Sequence, residues 1–116
     1  MRQIVTTLAE GEQGRRARVA HAIDDFVAKA KRLHVRKIIL YGSTARGEDR
    51  EGSDVDLLLI GDRNERSKIA YIETEIDLKY GVPLVSMVRD SDSANTPFMR
   101  EVLANGRVLY ERGVGV

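Results

Sequence analysis

The chain has 116 residues and no cysteine, with 42% hydrophobic and 32% charged side chains and a net charge of +1. That length and balance suit one domain, expected to span residues 1–116, and exclude wholesale disorder, disulfides and thiolate metal sites. No apolar run approaches the ~18 residues of a membrane span and no charged-then-apolar leader opens the chain, so a cytoplasmic protein without membrane attachment is expected.

Charge is unevenly distributed. Residues 1–47 hold ten Lys/Arg against four Asp/Glu, and residues 48–116 hold nine against fourteen. A basic first part attracts nucleotides, RNA or acidic partners, or is simply a solvated helix face.

Residues 1–12 carry little pattern and are expected to be loosely docked. From Gln13 to Leu33, the residues Val19, Ile23, Phe26, Val27, Ala30 and Leu33 recur at spacings of three and four, the stripe of an amphipathic helix. Ile38-Ile39-Leu40-Tyr41, stopped by Gly42, reads as a buried strand. Ser43 to Gly47 reads as a turn opening a short helix, and Glu48 to Gly52 as a charged loop.

Val55 to Ile60 is a second buried strand. Asn64, or less strongly Ser67, caps a helix carrying Ile69, Ile72, Ile76 and Tyr80, which Gly81 ends. Val82 to Val88 is a third strand, with Pro83 tolerable only at an end or an edge. A short helix near Pro97 to Ala104 and a final strand at Val108 to Tyr110 complete an α-β-(α)-β-α-β-α-β order. Such alternation predicts an α/β (α+β) fold, a small mixed sheet with helices packed on it.

The chemistry concentrates in residues 42–57. Gly42 ends a strand where a ligand can approach the backbone, Ser43 adds a hydroxyl, and the following helix start offers free N–H groups to a phosphate. Asp54 and Asp56 lie two apart at a strand start, so their side chains leave one face, with Cα atoms roughly 6.5–7 Å apart at ~3.3 Å per residue. Two such carboxylates suit a hard cation such as Mg²⁺. Each half has a plain structural explanation: turns often carry Gly-Ser, and Asp is common at strand starts.

Together, Gly42-Ser43-Thr44-Ala45-Arg46-Gly47, five residues, then Ser53-Asp54-Val55-Asp56-Leu57, resemble the signature of the DNA polymerase β-like nucleotidyltransferases. The match is closest to their minimal branch, and the strand–helix order extends the likeness over roughly residues 36–110. The resemblance implies that Gly42 and Ser43 grip phosphate and that Asp54 and Asp56 are the catalytic, metal-binding carboxylates. It implies a nucleotide-site role for Arg46, or an ion pair with an acid such as Asp54. Ser53 would order the loop and orient Asp54. Mg²⁺ is the implied cofactor, with Mn²⁺ as the alternative, and a nucleoside triphosphate, ATP first, is the implied substrate. The implied reaction moves a nucleoside monophosphate to an acceptor hydroxyl, with a helical HEPN-type toxin protein as the suggested partner and a homodimer as another way to complete the site.

Members of that superfamily commonly supply a third carboxylate from a later strand. Val82 to Val88 contains none; Ser86 is its one polar side chain and the expected occupant, with Asp90 as the substitute. A fold-retaining antitoxin module that binds a helical partner without catalysis is therefore the competing reading. A third is an RNA-binding protein using Arg15, Arg16 and Arg18, disfavoured because six aromatics and no Trp leave little to stack on bases. His21 and His34 lack metal-ligand spacing and read as surface residues.

Overall fold

The computed structural model describes residues 10–113. In chain order the elements are α1 (Gly11–Ala30), β1 (Val35–Tyr41), a single turn α2 (Gly42–Ala45), β2 (Val55–Gly61), a 3₁₀ turn (Arg63–Glu65), α3 (Arg66–Tyr80), β3 (Leu84–Arg89), α4 (Pro97–Asn105) and β4 (Arg107–Glu111). The strands form one mixed sheet of order β3-β2-β1-β4. β1 runs antiparallel to both β2 and β4, while β2 and β3 are parallel. The mixed α/β architecture is the one the alternating pattern predicts.

β2 is the central buried strand. Leu57, Leu58, Leu59 and Ile60 are all fully buried because both faces of the sheet are covered. Each contributes about 1.5–3 kcal/mol relative to exposure. On one face Val19, Ile23 and Phe26 of α1 and Ile69, Ile72 and Ile76 of α3 pack on Ile38, Leu40, Val55, Leu57, Leu59 and Val88. On the other, Met99 and Val102 of α4 cover Ile39, Leu58 and Ile60. No helix among the described residues is long and apolar enough to cross a membrane.

Several boundaries differ from the sequence reading. Of the segment 1–12 expected to be loose, Gly11 and Glu12 belong to α1, and Glu10 is ion-paired to Arg18 at 2.7 Å; residues 1–9 lie outside the described residues. Asn64 does not cap α3. Asp62 accepts a hydrogen bond from the Asn64 N–H instead, and a 3₁₀ turn leads into the helix. Gly81 ends α3 in the left-handed region, φ +68°, its N–H donating to the Asp77 carbonyl at 2.7 Å. Pro83 sits just outside β3, its carbonyl accepting from Val55 N–H.

Candidate active site

The antiparallel register of β1 and β2 sets Tyr41 opposite Asp56, which brings the strand end at Gly42 beside that carboxylate. Gly42 has φ +76°. A β-carbon there would overlap Asp56 Oδ2 and come within 3.3 Å of its Cγ. Backbone conformation and space therefore both demand glycine. Asp56 is half-buried; Asp54, just before β2, is exposed.

Burial pushes the Asp56 carboxyl above the ordinary carboxylate range, and the negative charge of Asp54 pushes it further, against the pull of Arg46. Burial also raises the Tyr41 hydroxyl, with Asp56 adding to the shift and Arg89 opposing it. The two carboxylates thus act on one another, an unfavourable arrangement that a cation would relieve. Tyr41 packs edge-on against Phe98 of α4, ring centroids 5.5 Å apart.

Ser43 stands on the single turn α2, half-buried. A four-residue helix supplies free N–H groups but almost no macrodipole. Its carbonyl accepts from Glu48 N–H at 2.9 Å, turning the chain into the loop 48–53. Ser53 Oγ accepts from Arg50 N–H at 2.9 Å, and Ser53 N–H returns a bond to the Arg50 carbonyl at 2.8 Å. That closes a turn immediately before Asp54. Arg46 pairs with Glu48, Nε to Oε1 at 2.8 Å, rather than with Asp54. Both partners are exposed, so the pair contributes little stability.

A residue that the motif does not include holds this loop. Arg15 on α1 is buried, and its Nη1 meets Asp49 Oδ2 at 3.0 Å while Nη2 donates to the Asp49 carbonyl at 3.2 Å. Glu12 completes its shell at 2.6 Å. The signal was present: Arg15 lies four residues before Val19, on the apolar stripe of the helix. Arg18 is also committed, to Glu10 and to the carbonyls of Tyr80 and Gly81. Two of the three arginines considered for RNA binding thus hold the fold together.

The family model for polymerase β nucleotidyltransferases matches residues 22–113. The chain belongs to this family. A protein of Methanocaldococcus jannaschii named as a candidate protein adenylyltransferase is 41% identical over 96 residues, covering 77% of this chain and 95% of the relative. A second from the same organism, with the same type of name, is 34% identical over 103 residues, covering 78% and 70%. A solved candidate minimal nucleotidyltransferase is 26% identical with a TM-score of 0.53, covering 75% of this chain and 87% of its own. A chain from a crystal structure of a toxin–antitoxin with AMP-PNP has the same TM-score of 0.53 at 14% identity, covering 84% and 74%, a likeness of fold.

Within this nucleotidyltransferase fold, Ser86 does not occupy the position of a third acid. The β2–β3 register pairs Asp56 with Val85 and Leu57 with Ser86, so Ser86 faces the helices on the far side of the sheet. There it is buried and bonds the Glu73 carboxylate of α3 through both Oγ and N–H. Asp90 fails as well, because it follows Arg89, the partner of Ile60, at the opposite end of the strand from Asp56. The residue beside Asp56 is Val85, 48% exposed. Among the described residues no group of three or more His, Cys, Asp or Glu converges as a metal-sized cluster. The donor set of Asp54 and Asp56 still fits a magnesium-type ion, which binds through one or two carboxylates plus waters and substrate phosphates.

Proposed function

We propose that this nucleotidyltransferase moves a nucleoside monophosphate, AMP in the first instance, from a nucleoside triphosphate to a hydroxyl on a protein acceptor. The observation that carries the reading is the contact of Gly42 with the Asp56 carboxylate, which sets the Gly42 turn against one acid of the Asp54–Asp56 pair. Support for a protein acceptor comes from the names of the Methanocaldococcus jannaschii relatives. The triphosphate lies over the Gly42–Ser43 turn, held by backbone N–H groups and the Ser43 hydroxyl. Asp54 and Asp56 hold Mg²⁺, or Mn²⁺ in its place, which when bound neutralises charge on the transferring and leaving phosphates. Arg46, next to the turn, adds positive charge at its mouth.

The acceptor oxygen bonds to the α-phosphorus as the bond to the bridging oxygen breaks and pyrophosphate departs. With Val85 where an acid would stand, the hydroxyl proton passes to water. Orientation by the turn and the acid pair then supplies most of the rate.

A second reading, a fold-retaining antitoxin module that binds a helical partner of HEPN type, is favoured by Val85 in that position. One experiment separates the two. Radiolabelled ATP and Mg²⁺ are incubated with wild type, Asp54→Asn and Asp56→Asn, with and without the partner, while complex formation is measured in parallel. The transferase reading expects labelling by wild type and a loss of several orders of magnitude in each variant, with partner binding retained. Labelling that persists in both variants refutes the assignment of the acids. No labelling by wild type leaves the binding module.

A further inference from the structure

Beside Asp56, the exposed edge strand β3 borders an open groove of ≈ 760 Å³. Tyr41, Val85, Met87 and Arg89 line it from the sheet, Arg63 from the 3₁₀ turn and Arg66 from the start of α3. Among the described residues no acidic side chain lines it. The three arginines are exposed and, among the described residues, none forms an ion pair. Of the acids near the start of α3, Asp62 accepts from Asn64 N–H, and Glu65 accepts from His34 N–H and pairs with Lys68. This contrasts with Arg15 and Arg18, which are locked into ion pairs.

We propose that this groove docks an extended, acidic segment of the acceptor protein and delivers its hydroxyl to the Asp54–Asp56 end. The proposal rests on the reading of the chain as a protein-directed nucleotidyltransferase. The register gives it a dimension. Val85 lies beside Asp56 and Arg89 beside Ile60, four residues further along β3, or about 13 Å. An extended acceptor therefore carries its acidic residues about four positions from the modified hydroxyl. Glu73 caps the Ser86 N–H on this edge, so recognition falls to side chains rather than to continuous strand pairing. Three cations suit a few carboxylates and fall short of the roughly six to ten phosphate contacts of a nucleic-acid binder. The Tyr41 ring, engaged edge-on with Phe98, offers no stacking ladder either.

The test uses fluorescence anisotropy with a fluorescein-labelled peptide holding one serine and a glutamate cluster four positions away. Wild type is compared with the double variant Arg63→Glu/Arg66→Glu and with Arg89→Glu, alongside a lysine-for-glutamate peptide and labelled oligouridylate. Calorimetry with ATP and Mg²⁺ is run on each protein. Expected is binding of the acidic peptide alone, weakened about tenfold or more in each variant and by added salt, with ATP affinity unchanged. No binding of the acidic peptide, binding indifferent to charge reversal, or tighter binding of oligouridylate overturns the proposal. Charge-dependent peptide binding in a protein that transfers no nucleotide leaves the docking site standing and removes the transferase reading instead.

Discussion

The Asp56 carboxylate rests against the backbone of Gly42, so that a β-carbon at residue 42 would overlap its Oδ2. The Gly42 turn and the Asp56 carboxylate are thus one packed unit. Gly42→Ala forces a side chain into φ +76° and displaces the acid. The left-handed strain alone costs about 1–2 kcal/mol. Denaturant unfolding should show at least that loss, and calorimetry an ATP affinity reduced more than tenfold. Unchanged ATP affinity would separate Asp56 from the nucleotide site.

The raised Asp56 carboxyl makes stability depend on pH in a definite direction. A carboxyl whose folded pKa exceeds its unfolded value near 3.9 favours the fold while protonated, and that contribution is lost as pH rises through the raised value. Metal-free wild type at neutral pH should therefore melt below Asp56→Asn, the gap closing as pH falls towards the ordinary carboxylate range. Mg²⁺ should close it too. The lowered carboxyls of Glu10, Glu12, Asp25 and Asp92 act in the opposite sense, but are common to both proteins and cancel in the comparison. A gap independent of both pH and Mg²⁺ would show that charge is not its cause.

Arg15 joins α1 to the loop before Asp54, and its removal leaves Asp49, itself 8% exposed, without its cation. Arg15→Met is expected to lower stability by about 3–5 kcal/mol, since breaking a buried pair strands the other charge. ATP and Mg²⁺ affinity should fall as well, because Asp54 loses its support. Restoring charge balance with Asp49→Leu in the same chain should recover melting temperature more than nucleotide affinity. Full recovery of both would make Arg15 a purely structural residue.

Val85 is the β3 neighbour of Asp56. Val85→Asp places a third negative group beside Asp56 at an exposed position, so the fold should survive. Mn²⁺ and Mg²⁺ should bind more tightly by calorimetry, and Asp56 should titrate still higher in the metal-free protein. Ser86→Asp should instead unfold the protein, burying a charge against Glu73. Equal metal affinity in wild type and Val85→Asp would show that residue 85 does not reach the ion.

Much of the architecture was legible in side-chain spacing. Val19, Ile23 and Phe26 marked the buried stripe of α1, and Leu57 to Ile60 gave β2 as a strand covered on both faces. What failed depended on relations between elements. Alternation tells which residues of β3 share a face but not which face meets Asp56, and only the β2–β3 register exchanges Ser86 for Val85. Arg46 pairs with Glu48, two residues on and likewise exposed, rather than with Asp54, a pairing that the motif's spacing does not reveal. Nothing local distinguishes Asp49 from the other acids of its loop, because its arginine partner lies 34 positions away.

The bond between Glu73 and the Ser86 N–H also bears on how copies of this chain meet in concentrated solution. An outermost strand with a half-exposed valine is a template for edge-to-edge growth into fibrils. A carboxylate seated on the middle of that edge interrupts its row of donors, and the arginines Arg63, Arg66 and Arg89 repel an identical neighbour. The guard and the groove are one surface, so neutralising its charge to study recognition also removes a barrier to self-association. Glu73→Gln, which keeps an acceptor but loses the charge, should aggregate less readily than Glu73→Ala, which exposes the donor outright.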